Sequence, residues 1–324
     1  MNLHQFRFVQ EAVRRNLNLT ETARALHTSQ PGISKAIIEL EEELGVDIFA
    51  RHGKRIKRVT EPGLQVLKSI EAIMGEVANL RRIGDEYSKQ DAGTLSIATT
   101  HTQARYFLPD PVAAHRKRYP KVQVVLHQGM PDQVVRMLLD DVAELGLATE
   151  ALAAHPDLIS LPCHEWQHVM VVPAGHALAA VERPTLAQLA AHPLVLYHPT
   201  VTGRSRIDAA FERERLTPTV ALEAIDSDVI KTYVRLGLGV GVVTELAMRH
   251  LDAAGAAGAA ESDHADLVWR PLGHLFGSNL TRVAFKRGAY LRQFVLAFTE
   301  TLSARLTPAV IQAAMAGRGS DYQL

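Results

Sequence analysis

Thr28-Ser29-Gln30-Pro31-Gly32-Ile33-Ser34-Lys35 decides how the first sixty residues fold. Ser29 is suited to cap a helix, Pro31 is tolerated in a first helical turn, and Ile33, Ile37 and Leu40 fall on one face of the helix that follows. Upstream, Leu3, Phe6, Val9, Ala12 and Val13 recur at helical spacing. A short middle helix carries Ala23, Ala25 and Leu26, capped by Thr20 or by the alternative pair Asn18 and Glu21. Two short helices joined by a tight turn, the second presenting Gln30, Ser34 and Lys35 opposite its apolar face, have the layout of a helix-turn-helix that enters a DNA major groove. Next, Arg51-His52-Gly53-Lys54-Arg55-Ile56-Lys57-Arg58 packs five cations into eight residues beside Phe49, as in a winged hairpin that grips phosphates. Taken singly, these features also fit an ordinary helical bundle and a solvated charge run; in this order they favour DNA. The candidate DNA-binding residues are Thr28, Ser29, Gln30, Pro31, Ser34, Lys35, Arg51, Lys54 and Arg55.

Thr60-Glu61-Pro62-Gly63 opens a long helix in which Val66, Ile70, Ile73, Val77 and Leu80 alternate spacings of four and three, a coiled-coil seam. A second copy of the chain would complete that seam and pair two recognition helices on a near-palindromic site; packing against the protein's own domains is the alternative. Polar residues 85–93 suit a hinge. The expected division is a winged helix-turn-helix over 1–60, a linker helix and hinge over 61–90, and an effector-binding domain of two α/β lobes over 91–324.

The remaining sequence alternates strands and helices. Leu95-Ser96-Ile97-Ala98 reads as a strand, Thr99-Thr100-His101-Thr102-Gln103 as a polar turn, and Ala104 onward as one helix reaching Tyr119-Pro120. A strand at Val122-Gln123-Val124-Val125-Leu126, a helix over 132–139 and a strand at 144–148 ending at Thr149 complete a β-α-β-α-β order. That order predicts a parallel sheet with ligands at the carboxyl ends of its strands. A second unit runs from Leu194-Val195-Leu196-Tyr197 through Thr202-Gly203-Arg204-Ser205 into a helix, and Asp226-Ser227 can cap the helix 229–236. The glycines of Gly237-Leu238-Gly239-Val240-Gly241 follow a helix instead of linking a strand to one, which rules out a dinucleotide fingerprint. The first polar turn suits anion binding: helix-start N–H groups and Thr and Gln side chains are donors without ionisable protons, and a fully deprotonated oxyanion such as sulfate matches them. Helix capping is the plainer use of the same threonines.

Composition narrows the partners. The chain has 324 residues, 47% hydrophobic and 22% charged, with 35 basic and 35 acidic side chains balancing to +0. This is a globular profile with two or three cores, and any nucleic-acid affinity must come from a local patch. One cysteine, Cys163, excludes an internal disulfide and a Cys-rich zinc site and fits a reducing, cytoplasmic setting. His164 beside it points to the opposite face of a strand, so no nucleophile–base pair emerges and no catalytic residue is assigned. No cofactor, metal or membrane partner is expected.

Several runs carry a resemblance to LysR-type transcriptional regulators over almost the whole chain: residues 28–35 already given, Thr99-Thr100-His101-Thr102-Gln103-Ala104-Arg105-Tyr106, Ala148-Thr149-Glu150, Thr202-Gly203-Arg204-Ser205 and Asp228-Val229-Ile230-Lys231-Thr232-Tyr233. The first is common to the family, whereas the Thr-Thr-His-Thr-Gln run resembles the CysB/Cbl-like sulfur-assimilation branch. The resemblance implies two Rossmann-like lobes of periplasmic-binding-protein type, with an anion site made by Thr100, Thr102, Gln103, Thr149 and Thr202 and with Trp166 nearby. It also implies promoter DNA, a small anionic sulfur metabolite (sulfate, adenosine phosphosulfate or an acetylserine) and a dimer of dimers as partners, with RNA polymerase a further candidate. Met130 and Asp132 depart from the small or neutral residues more usual there, residues 253–260 look like an added surface loop, and residues 321–324 look like the sulfonate-utilisation relative. A regulator with a non-sulfur effector, a sulfate-binding solute protein and an enzyme built on Cys163 are the competing readings.

Overall fold

The computed structural model describes residues 1–53, 55–88, 91–149, 151–201, 203–248 and 266–317. Lys54 and Thr202 lie outside the described residues, as do Glu150, the proposed loop 253–260 and residues 321–324. The chain divides into two compact units, Met1–Ser88 with Gly288–Tyr290, and Lys89–Arg287 with Leu291–Leu324.

In the first unit, α1 (Leu3–Arg14), α2 (Leu19–Ala25) and α3 (Gln30–Leu44) precede a hairpin of β1 (Phe49–His52) and β2 (Arg55–Val59), and α4 (Glu61–Ser88) follows. Asn18 caps α2, its side chain accepting from the Thr20 and Glu21 N–H groups, so Thr20 is not the cap. The reason is reach: one carboxamide oxygen in extended backbone satisfies two free amides of the first turn. Ser29 caps α3 through the Gly32 N–H, with Pro31 in the first turn. Phe6, Val9, Ile33, Ile37, Leu40 and Phe49 fill the core together with Leu67 and Ile70 of α4. Val66 packs against this core and Ile70 is 2% exposed within it. The expected seam is therefore corrected at its start: Val66 and Ile70 serve the chain's own head, while Ile73 and Leu80 remain exposed.

A buried carboxylate ties the hairpin to α3. Glu41 accepts from the Ile48 and Phe49 N–H groups at 2.8 and 2.9 Å and from Arg51 Nη1 at 2.6 Å. Gly63 lets α4 start against the same turn, since a Cβ there would stand 2.1 Å from the Ile48 carbonyl oxygen. Without Glu41 two amides and a guanidinium lose their acceptor in the core. We expect Glu41→Ala to lower stability by about 2–4 kcal/mol, read from urea denaturation by circular dichroism; a loss below about 1 kcal/mol would mean that water replaces these bonds.

The second unit contains β3 (Ala92–Thr99), α5 (His101–Tyr106), α6 (Pro109–Arg118), β4 (Lys121–Gln128), α7 (Pro131–Leu139), β5 (Leu145–Ala148), α8 (Ala151–Ala154), β6 (Leu158–Pro173), α9 (Leu186–Ala190), β7 (Leu194–Tyr197), α10 (Arg204–Arg213), β8 (Val220–Ala224), α11 (Ser227–Arg235), β9 (Val240–Thr244), β10 (Leu267–Pro271), α12 (Gly273–Phe276), β11 (Ser278–Lys286), α13 (Gln293–Leu302) and α14 (Pro308–Met315). The single helix expected after residue 104 is two, because Pro109 has no N–H to continue the ladder and opens α6 instead. The strands run in the order β4-β3-β5-β11-β6-β9-β7-β8, with β10 also on β6. β3 is parallel to β4 and β5, and β7 is parallel to β8 and β9, which gives two parallel half-sheets. β6 and β11 join them: the first half of β6 pairs with β11, and its last residues pair with β9 and β10.

Alternation along β6 builds both faces of the second lobe. Val169 and Val171 pack with Tyr197, Ile230 and Val234 on one side, and Met170 and Val172 with Leu196, Phe211 and Val242 on the other. In the first lobe Leu95, Ile97, Phe285 and Phe294 face one way, and Ala98, Val134, Leu138 and Ala284 the other. Each half-sheet is thus buried on both sides, and its strand ends are left for a ligand.

Candidate functional site

Those strand ends meet across a cleft of ≈ 270 Å³. From the first lobe, Thr100, Thr102 and Gln103 follow β3, Gln128 to Pro131 follow β4, and Thr149 follows β5; from the second come Tyr197, Val201, Asp226 and Thr244. Trp166, on the crossing strand β6, lies between them. Of the candidate effector residues, Thr100, Thr102, Gln103, Thr149 and Trp166 therefore line one cavity. His101, Gln128, Met130, Tyr197, Asp226 and Thr244 line it too and were not among the candidates. All six stand at or within two residues of a strand's carboxyl end, the signal that could have found them.

Local geometry favours donors. Thr100 holds the N-cap position of α5 in extended backbone yet makes no side-chain capping bond, so its hydroxyl does not perform the plainer role open to it. The first amides of α5 have no carbonyl one turn back within the helix and carry the positive end of its dipole. Gln103 is 2% exposed and bonds Thr281 Oγ1 at 3.0 Å, while its other amide atom has no protein partner. A hydroxyl both donates and accepts, so either amide orientation keeps the Thr281 bond, and Gln103 can offer its NH₂ to the cleft. Trp166 Nε1, a donor only, is buried with no acceptor among the described residues. Lysine and arginine are absent from the lining among the described residues.

Behind the lining, the Trp166 ring meets His168 edge-on at 5.2 Å, and His168 meets Phe276 at 6.0 Å. Gly203 (φ +85°) closes on this histidine so tightly that a Cβ would lie 2.6 Å from its Cε1. Burial, with a smaller contribution from Arg206, lowers the His168 pKa to about 4. Tyr197, pushed up to about 12 chiefly by burial, bonds Ser227 Oγ at 2.5 Å and receives the Thr244 N–H at 3.1 Å. Cys163 is buried and its thiol pKa raised to about 12 by burial, which keeps it protonated. His101, Asp226 and Asp228 bring ligand atoms within 4.8 Å of one another, but Asp228 already accepts from Tyr106, Lys231 and Arg105. Protein cations therefore occupy the place a metal would need.

In the head, Thr28, Ser29, Pro31 and Lys35 are exposed and Gln30 and Ser34 half-buried around the start of α3. Lys35 lies 3.7 Å from Glu39 on the helix surface. Arg55, Lys57 and Arg58 are exposed on β2. Arg51 differs: its guanidinium is turned inward to Glu41, so it braces the hairpin and is not a free phosphate contact.

A helix-turn-helix head together with a two-lobed cleft for a small molecule defines a ligand-controlled DNA-binding protein. Two family models match in agreement: the bacterial regulatory helix-turn-helix protein of the lysR family over residues 3–64 and the LysR substrate binding domain over 88–307. The chain is 52% identical to the HTH-type transcriptional regulator CysB of Burkholderia cenocepacia across the full length of both. It is 46% identical to the HTH-type transcriptional regulator SsuR of the same organism, covering 96% of this chain and 97% of that one. The crystal structure of the cofactor-binding domain of the Cbl transcriptional regulator superposes with a TM-score of 0.62 at 40% identity, over 69% of this chain and 93% of the other. This chain belongs to the LysR family of transcriptional regulators. No helix among the described residues is long and apolar enough to cross a membrane.

The buried histidine carries a pH signature. Between pH 6.5 and about 4 an unfolded His168 binds a proton that the folded one refuses, so stability rises with pH through that window and is lost as pH falls through it, by about 3 kcal/mol over the full range. Denaturant midpoints measured from pH 7 to 5 should fall more steeply for the wild type than for His168→Gln. Equal slopes would mean that the folded imidazole protonates freely.

Proposed function

We propose that the protein is a cytoplasmic regulator of sulfur-assimilation genes, for cysteine biosynthesis or sulfonate use, whose cleft binds a sulfur oxyanion or a metabolite that carries an anionic group. The convergence of neutral donors at the start of α5, without a lysine or arginine in the lining among the described residues, is the observation that carries it. Thr100, Thr102, Gln103 and Thr149 hold the anion, Trp166 donates its indole N–H, and Thr202 is assigned with them from the sequence resemblance alone. Donors that cannot release a proton suit an anion that has none to share, which favours sulfate over hydrogen phosphate. Similarity to CysB and SsuR supports the sulfur assignment.

In the head, Gln30, Ser34 and Lys35 read the groove from α3, helped by Thr28, Ser29 and Pro31 at its start, while Lys54 and Arg55 contact phosphates. Residues 1–60 thus act as the DNA-binding head, 61–90 as the dimerising linker and hinge, and 91–324 as the effector domain. The assembly is a homodimer or a dimer of dimers on promoter DNA, with the exposed Ile73 and Leu80 on the pairing side of the linker. RNA polymerase is a further partner, and the protein itself performs no catalysis.

Calorimetric titration of the full-length protein with sulfate, thiosulfate, adenosine phosphosulfate, O-acetylserine and N-acetylserine, against phosphate and chloride, tests the cleft. Selective binding of one sulfur compound, weakened by Thr102→Ala by about 1 kcal/mol or more, is expected. Binding of none sinks the sulfur assignment and leaves a LysR-type regulator of another pathway. Lys35→Ala should weaken operator binding and make its salt dependence shallower by about one ion while the effector affinity stays unchanged. An equal loss of both would mean that the head and the cleft were wrongly separated.

A further inference from the structure

Just beyond the cleft, one carboxylate is shared between the lobes. Arg105 and Tyr106 end α5 in the first lobe; Asp228 and Lys231 stand near the start of α11 in the second. Tyr106 Oη donates to Asp228 Oδ1 at 2.6 Å and accepts from Lys231 Nζ at 3.1 Å. Arg105 Nε reaches Asp228 Oδ2 at 2.5 Å. Lys231 Nζ also lies 3.0 Å from Asp228 Oδ1, 3.2 Å from the Ala247 carbonyl and 5.1 Å from the centre of the Tyr106 ring.

Lys231 is 1% exposed, so its ammonium needs protein acceptors, and these are among them. Asp228 and Ala247 belong to its own lobe; the Tyr106 hydroxyl and the ring face come from the other. Parting the lobes would remove that acceptor from a buried cation and two donors from its counter-ion; water reaches the exposed Arg105 and the partly exposed Asp228, but replaces poorly what the buried Lys231 loses. The same helices carry the cleft lining: Thr102 and Gln103 lie on α5 within one turn of Arg105 and Tyr106, and Asp226 caps α11 two residues before Asp228. Burial raises the Asp228 pKa, but the bonds from Tyr106 and Lys231 outweigh it, leaving the carboxyl below its ordinary range. Burial and the Asp228 bond push the Tyr106 phenol upward, so it remains a donor.

We propose that Arg105 and Tyr106, locked onto Asp228 and Lys231, are an interlobe latch: positioning residues that hold the two cleft walls at the separation at which both can meet one effector. The latch rests on the reading of the cleft as the effector site only for its effect on affinity, and not for its effect on the lobes.

The test uses the full-length protein with nitroxide labels at K117C on α6 and E212C on α10, both exposed positions, with buried Cys163 left unmodified. Labelled chains are diluted with excess unlabelled chains so that the measured distances are within one chain. Tyr106→Phe keeps every ion pair and so protects folding; Arg105→Leu with Tyr106→Phe removes the polar contacts that these two residues make to Asp228 and Lys231. The expected result is a broader, longer interlobe distance in the double variant at a thermal midpoint close to the wild type. A sulfate Kd raised about tenfold by Tyr106→Phe alone should accompany it. Distances in both variants that superimpose on the wild type would overturn the latch. Separated lobes in a protein that binds no sulfate in any form would uphold the latch and sink the effector reading instead.

Discussion

The geometry of the cleft depends on β6. A strand of 16 residues is long for a globular protein, and this one belongs to two sheets in turn. Its partner on one side is broken: β10 ends where Pro271 pairs with Val169, and β11 begins where Ser278 pairs with Gln167. Between them the chain leaves the sheet through α12, and the Leu272 N–H still bonds the His168 carbonyl at 2.9 Å. The strand is thus continuous while its partner is not, which lets two parallel half-sheets share one backbone without sharing one twist. Trp166 and His168 sit at this interruption, so a residue that lines the cleft is also fixed by the crossing between the lobes.

The proposed anion site, with no lysine or arginine in the cleft lining among the described residues, needs a physical account. Helix-start amides, hydroxyls and an indole N–H are dipoles fixed in place by the fold, and in a partly buried cleft such dipoles act with little screening. Because they carry no net charge, they require no counter-ion when the ligand leaves. A site of this kind can release its anion readily, as a sensor must, whereas arginine clamps would hold it against water. Asp226, the one carboxylate in the lining among the described residues, bears on the proposed site: it would penalise an anion placed near the second lobe and direct the charge toward α5.

Much of this was legible in the sequence, and the reasons are local. The α3 cap was read correctly because Ser29, Pro31 and the Ile33, Ile37 and Leu40 stripe all act within one helix. That Thr100, Thr102 and Gln103 line the cleft was legible because they follow one strand, and the resemblance supplied Thr149 and Trp166 as further lining residues. What stayed hidden depends on distant partners. Nothing in residues 267–286 indicates that β10 and β11 pair with β6 a hundred residues earlier, because a pairing register is decided by the other strand. The heptad-like spacing of α4 could not reveal that Ile70 belongs to the head's own core, since an apolar stripe fits either surface. Arg51 was read with its basic neighbours although a carboxylate ten residues earlier turns it inward.

That last case bears on how both units are organised. Glu41 gathers two backbone amides and Arg51, and Asp228 gathers Tyr106, Lys231 and Arg105; in each case a carboxylate with several donors joins segments that packing alone would leave free to shift. A hydrophobic contact tolerates sliding, whereas a carboxylate with two or three donors accepts only one arrangement and costs energy in every other. Glu41 thereby sets the exit of the hairpin relative to α3, which leaves Arg55, Lys57 and Arg58 as the exposed cations of the wing. Asp228 does the same for α5 relative to α11, with the cleft-lining Thr102 and Gln103 on α5 and Asp226 at the cap of α11. The positional precision that the proposed groove reading and anion reading would each require is thus supplied from beside the proposed binding surfaces.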